Sequence, residues 1–119
     1  MLKDLQEFVN VSNEQNANLH KLKTIQDFKY NEDVKTMLLY TYDTFRQYGI
    51  SSKNCKKRSD LVATVNNYEN IITLLDDLGN RTLTGHAAIK AYNRFVEDNR
   101  NYEDLLWNII DRNLKTRST

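Results

Sequence analysis

Apolar residues recur along this chain at spacings of three and four, not in alternation, and that period predicts helices throughout. Leu2, Leu5, Phe8 and Val9 open the chain as a short helix. Ser12 and Gln15 stand at capping-box spacing, and a second helix is expected to carry Ala17, Leu19 and Leu22. Asn31 ahead of Glu32 and Asp33 gives a third start, with the acids placed favourably at the positive dipole end. Val34, Met37, Leu38 and Tyr42 then share one face, continued by Phe45, and Gly49 is the expected stop.

Residues 50–60 read as a polar, basic loop. Leu61, Val62, Ala63 and Val65 fit either a short helical turn or an irregular packed segment. Asn66 or Asn67 is the expected cap of the next helix, which carries Ile71, Ile72, Leu74, Leu75 and Leu78 up to Gly79. Thr84 opens another, with Ala88, Ile89, Tyr92, Phe95 and Val96 facing inward. Asn101 with Asp104 opens the last, with Leu105, Leu106, Ile109, Ile110 and Leu114. The expected fold is all-α, a compact bundle of about six helices forming one domain over residues 1–119.

Composition supports the helical reading. There is no proline, and the only glycines are 49, 79 and 85, too few for the tight turns a sheet protein needs. With 39% apolar and 28% charged residues the chain reads as globular. No apolar run is long enough to span a bilayer and the start lacks a signal-peptide pattern, so a cytoplasmic protein without membrane contact is expected. Cys55 is the single cysteine and cannot form an intrachain disulfide. The net charge of +1 conceals an uneven distribution: Arg46, Lys53, Lys56, Lys57 and Arg58 fall in one run with no acid, and Arg112, Lys115 and Arg117 in another. A local basic face is therefore compatible with the small total.

Catalytic signatures are thin. His20, Cys55 and His86 lie in separate segments, against the paired ligands of structural zinc. Cys55 among lysines reads as a semi-exposed thiol whose pKa they would lower, with no histidine near it in sequence. Asp76, Asp77 and Asp98 read as solvated charge, and no glycine-rich phosphate loop occurs. Of the aromatics Tyr40, Tyr42, Phe45 and Tyr48, most are expected in the core. Tyr48, beside the basic run, is the best candidate for stacking on a base.

Residues 81–89 carry the clearest functional signal. Thr84 is placed to cap, Gly85 lets a ligand approach the backbone, and Ala87 and Ala88 add little bulk. A helix start of this kind seats a phosphate. The same stretch, Leu83-Thr84-Gly85-His86-Ala87-Ala88-Ile89, resembles the Leu-Thr-Gly-Asn-Ala-Ala-Ile segment in the N-terminal DNA-binding domain of T-even-type phage ATP-dependent DNA ligases. Asn31 to Tyr42, ending Leu39-Tyr40-Thr41-Tyr42, is similar to that domain's third helical segment, and Ile109 to Leu114 to its closing helix. Departures are His86 in place of Asn, Asn113 in place of Asp, and Arg117 where a glycine is expected.

The resemblance implies a ligase-like helical DNA-binding domain. It would grip duplex or nicked DNA by the sugar-phosphate backbone along the minor groove, without sequence preference, for nick sealing in replication and repair. It implies Thr84, Gly85, His86 and Ala87 as one phosphate seat flanked by Arg81 and Lys90. Lys53, Lys56, Lys57 and Arg58 form a second contact group, and Arg112, Lys115 and Arg117 a third. The family's adenylylated lysine sits in a Lys-x-Asp-Gly motif that this sequence lacks, so no catalytic residue and no cofactor is assigned to it. ATP and Mg would belong to the parent ligase. Expected partners are DNA and the ligase's catalytic domain, with a replication protein as a further candidate, on an otherwise monomeric chain in the (host-cell) cytoplasm. The alternative is a small helical protein-interaction module.

Overall fold

The structure is a computed structural model that describes residues 1–14 and 32–115. Within them lie six α-helices, one 3₁₀ turn and no strand. The helices are α1 (Leu2–Glu14), α2 (Glu32–Tyr42), α3 (Ser52–Lys57), α4 (Ile71–Gly79), α5 (Gly85–Asp98) and α6 (Glu103–Ile110), with the 3₁₀ turn at Arg100–Tyr102 joining the last two. The all-α expectation holds, but the membership differs. Ser12 lies inside α1. The helix expected over Ala17 to Leu22 lies outside the described residues, as do His20, Asn31 and Arg117. No helix among the described residues is long and apolar enough to cross a membrane.

The 50–60 loop is the main correction, because Ser52–Lys57 is helical. Ser51 caps it reciprocally: its hydroxyl accepts from the Asn54 N–H at 3.2 Å, and the Asn54 side-chain oxygen accepts from the Ser51 N–H at 3.1 Å. This is a capping box with Asn in the third position, where Glu or Gln is the usual signal. Cys55 is then turned fully inward, 0% exposed, not semi-exposed. Burial pushes its thiol up to about 12, with Asp111 adding to the effect, against the lowering that neighbouring lysines suggested.

One hydrophobic cluster draws on every helix, including Leu5 and Val9 of α1, Met37 of α2, Cys55 of α3, Leu74, Leu75 and Leu78 of α4, Tyr92 and Phe95 of α5, and Leu106 and Ile109 of α6. α5 is its axis and packs against α3, α4 and α6, while α1 and α4 both pack against α2. The buried face of α5, Ala88, Ile89, Tyr92, Phe95 and Val96, is the one its 3.6-residue period predicts, with Asn93 added.

Helix ends correct several boundaries. Asn70, not Asn66 or Asn67, caps α4, its side chain accepting from the Thr73 N–H at 3.0 Å. Leu61 to Val65 is irregular. The start expected at Asn101 and Asp104 falls at Glu103, after the 3₁₀ turn. α6 closes with Arg112 in the left-handed region (φ 62): the Arg112 N–H donates to Ile109 O at 2.9 Å and the Asn113 N–H to Asn108 O at 3.0 Å. That is a Schellman ending on arginine where glycine is usual. α2 stops at Tyr42, so Phe45 lies beyond it and is 96% exposed.

Candidate nucleic-acid interface

α5 begins in the open. Thr84, Gly85, His86 and Ala87 are all exposed. Thr84 has the extended backbone of an N-cap, but its hydroxyl makes no capping bond, against expectation. The first backbone bond of the helix runs from Ala88 N–H to Thr84 O at 3.3 Å. The Gly85, His86 and Ala87 N–H groups therefore have no acceptor among the described residues, and the dipole adds partial positive charge there. Gly85 takes φ +55, a conformation that favours glycine, and nothing lies within 4 Å of where a Cβ would stand. The glycine serves the turn and leaves open space above the three donors.

α3 packs against α5. The buried Asn93 side chain of α5 donates to Cys55 O at 3.2 Å, Arg58 O at 3.3 Å and Leu61 O at 2.8 Å, tying the end of α3 and the following segment to α5. Further along, the Ala63 N–H donates to Lys90 O at 3.1 Å. Arg58 and Asp60 are joined by two 3.1 Å bonds. The Arg58 hydrogen bonds hold the Asp60 carboxyl below the ordinary carboxylate range, and the charge of His86 contributes in the same direction. His86, Lys90, Arg58 and Asp60 thus share a neighbourhood. Asp60 escaped the sequence reading because the basic run was counted only to Arg58, two residues short of it.

The remaining basic residues are in different situations. Lys53, Lys56 and Lys57 are exposed, with the Lys56 ammonium 5.3 Å from the Trp107 ring centroid. Lys90 is exposed beside a cleft of about 230 Å³ that it lines with Val65, Asn67, Ala87 and Ala91. Arg81, with φ 69 after α4, has its guanidinium over Gly49, where a Cβ would meet Nη1 at 2.4 Å. Arg112 turns inward, half-buried, and donates to Asp43 O at 2.8 Å. Lys115 is exposed, and its carbonyl accepts from the Asn13 side chain at 3.4 Å.

The aromatic expectations are partly reversed. Tyr48 is 3% exposed and its hydroxyl donates to Tyr40 O, so it is core and offers no stacking face. Tyr42 and Phe45 are the exposed rings. Asp76 and Asp77 are engaged, accepting from the Tyr40 hydroxyl at 2.7 Å and the Tyr68 hydroxyl at 2.6 Å. Asp98 pairs with Arg94 at 3.3 Å. Among the described residues no three His, Cys, Asp or Glu gather where they could hold a metal ion.

Comparison with known proteins returns no matching family, no matching curated protein and no matching solved structure.

Proposed function

We propose that this chain is a non-catalytic, sequence-independent DNA-binding domain of the kind found in phage-type ATP-dependent DNA ligases, holding nicked duplex for a catalytic domain. The observation that carries the reading is the open start of α5. Three adjacent N–H groups without acceptors among the described residues sit among small exposed residues, in the stretch that resembles the ligase segment. These donors fit one phosphate, with Lys90 adding charge nearby and Arg58 held in its pair with Asp60. Lys53 and Lys57 extend the positive surface along α3. Contacts of this kind fix position on a duplex without reading bases, as a nick-sealing protein requires. ATP and Mg would act in the catalytic domain; the sequence holds no Lys-x-Asp-Gly motif, and no chemical step is assigned to these residues.

The test is fluorescence anisotropy with a nicked duplex, titrated across salt. Binding should weaken steeply as salt rises, because each phosphate neutralised releases a counterion. Ala87→Glu is the decisive variant. Glu is favourable in the first helical turn, so the fold is retained, while its charge occupies the seat. A loss of about tenfold or more is expected. Absence of binding at low salt, or wild-type affinity in the folded variant, overturns the reading. The protein-interaction alternative draws on one separate observation, the apolar outer face of α2.

A further inference from the structure

Residues of α3, α5 and α6 line a cleft of about 250 Å³. Val62, Val96 and the Trp107 ring give it apolar walls. Two of its lining side chains are buried and have polar atoms left over. Trp107 is 8% exposed, and its indole N–H has no hydrogen-bond partner among the described residues. Asn93 is 7% exposed, and its NH₂ group is committed to three backbone carbonyls. Its Oδ1 oxygen is therefore left as an acceptor with no donor among the described residues. Buried polar atoms are paired in the great majority of cases, so an orphaned donor and an orphaned acceptor on one cleft point to a ligand that pairs both. Charge at the mouth takes two forms. Arg100 spans Glu97 at 2.6 Å and Glu103 at 2.9 Å, which occupies both carboxylates. The Arg100 bond holds the Glu103 carboxyl below the ordinary carboxylate range, and the Trp107 indole adds to the effect. Lys56 is different: its ammonium lies 5.3 Å from the Trp107 ring centroid and is exposed, as are Lys53 and Lys57 of the same helix.

We propose that this cleft holds a single unpaired nucleobase, with the phosphate of the same nucleotide on Lys56. The Watson–Crick edge of every base sets a donor beside an acceptor, the two groups that Asn93 Oδ1 and the Trp107 N–H would take, and the apolar walls suit the flat ring. That edge is free only when the base is out of its pair. The occupant is therefore a nucleotide of a single strand or a free one, and not intact duplex. The volume lies below the roughly 300–1,000 Å³ of sites for drug-sized ligands, so it admits one planar group and leaves sugar and phosphate outside. An amide from a partner protein offers the same donor and acceptor but no negative charge. Three exposed lysines on the helix that forms one wall favour the ligand that carries phosphate. None of the lining residues belongs to the phosphate seat at the start of α5, so neither site depends on the other.

Trp107 is the only tryptophan, so its indole N–H gives one signal in a proton–nitrogen correlation spectrum of the full chain. Thymidine 5′-monophosphate should move that signal downfield, with half-saturation at about 1 mM or below. Inorganic phosphate alone should leave it in place. Trp107→Phe keeps a ring but removes the donor, so affinity read from the Asn93 side-chain signals should fall about tenfold. Lys56→Gln, at an exposed position, should weaken the nucleotide several-fold and leave thymidine, which has no phosphate, unchanged. A short oligothymidine strand separates the two sources. Binding tighter than that of the free nucleotide assigns the cleft to a strand, and equal or weaker binding assigns it to free nucleotide. An indole signal unmoved by nucleotide and strand overturns the proposal. Equal displacement by inorganic phosphate also overturns it, by marking an anion site without a base, and so does equal displacement by acetamide, which assigns the cleft to a protein amide. Ala87→Glu should leave the nucleotide shifts in place, so failure here and failure of the duplex reading are seen separately.

Discussion

Asn93→Ala should destabilise the fold by about 2–4 kcal/mol, more than a lone polar residue in an apolar stripe would suggest. The side chain is 7% exposed and its amide faces three carbonyl oxygens, those of Cys55, Arg58 and Leu61. Only the NH₂ group can serve three acceptors, which fixes the amide's orientation. Two hydrogens meet three oxygens, so the 2.8 Å bond to Leu61 is the well-formed one and the other two share a proton. Two effective bonds contribute about 1 kcal/mol each, and the buried Cys55 carbonyl left without this donor costs about 1–2 kcal/mol more, while the Arg58 carbonyl keeps the Leu61 N–H. α3 has only six residues, far too few to hold itself, so its C-terminal end depends on this cap from α5.

A chain of this length has about 6–15 kcal/mol of stability in all, so the loss is a large share. Urea unfolding followed by circular dichroism measures it, and hydrogen exchange at Lys56 to Arg58 should accelerate more than at α4. Asn93→Asp sharpens the argument. Its carboxylate oxygens would face three carbonyls, so burial and repulsion raise its pKa, and stability lost at neutral pH should partly return as pH falls. A change below about 0.5 kcal/mol for Asn93→Ala, within the noise of ordinary surface substitutions, refutes the capping role.

Native Cys55 should resist thiol reagents at pH 8 and react only on unfolding; its thiol, ordinarily near 9.0, and the Tyr48 phenol are both raised to about 12 by burial, so the stability they contribute is complete below pH 9 and is lost toward pH 12, seen as a falling urea midpoint. Fast labelling of the folded protein would contradict this. Asp60→Asn should free the Arg58 guanidinium and raise nicked-duplex affinity a few-fold, measured by anisotropy; lower affinity would remove Arg58 from the interface. Gly85→Ala should cost about 1–2 kcal/mol in thermal melts through φ +55 alone, and Gly85→Asn less, because asparagine tolerates the left-handed region. Equal melts for glycine and alanine would show that the turn is not strained.

The helical period was sufficient for the inward faces of α4, α5 and α6, whose one-sided stripes meet a single core. It failed where ends are set by polar groups. Asn70 outcompetes Asn66 and Asn67 because its side chain reaches the Thr73 N–H, a geometric fact that three nearby asparagines do not reveal. α3 was hidden for a related reason. Its residues Ser-Lys-Asn-Cys-Lys-Lys hold one apolar position, so no period can be read, and its stability comes from the Ser51–Asn54 box and from Asn93, 38 residues beyond Cys55. For the candidate site, the exposed start of α5 was legible in Thr84-Gly85-His86-Ala87. The charge around it was not, because Asp60 neutralises Arg58 and Arg112 is turned inward to Asp43.

α2 marks a different limit of pattern reading. Val34, Met37, Leu38, Leu39, Tyr40, Tyr42 and Phe45 supply more apolar surface than one helix face can bury, and a sequence does not say which stripe the fold covers. The fold covers the side that meets α1 and α4, where Met37 reaches 0% exposure, and that choice leaves Leu39, Tyr42 and Phe45 outside. Large apolar side chains left exposed on one helix and its exit are costly to keep in water. The same excess that blurred the helix's inward face is therefore what leaves its outward one apolar.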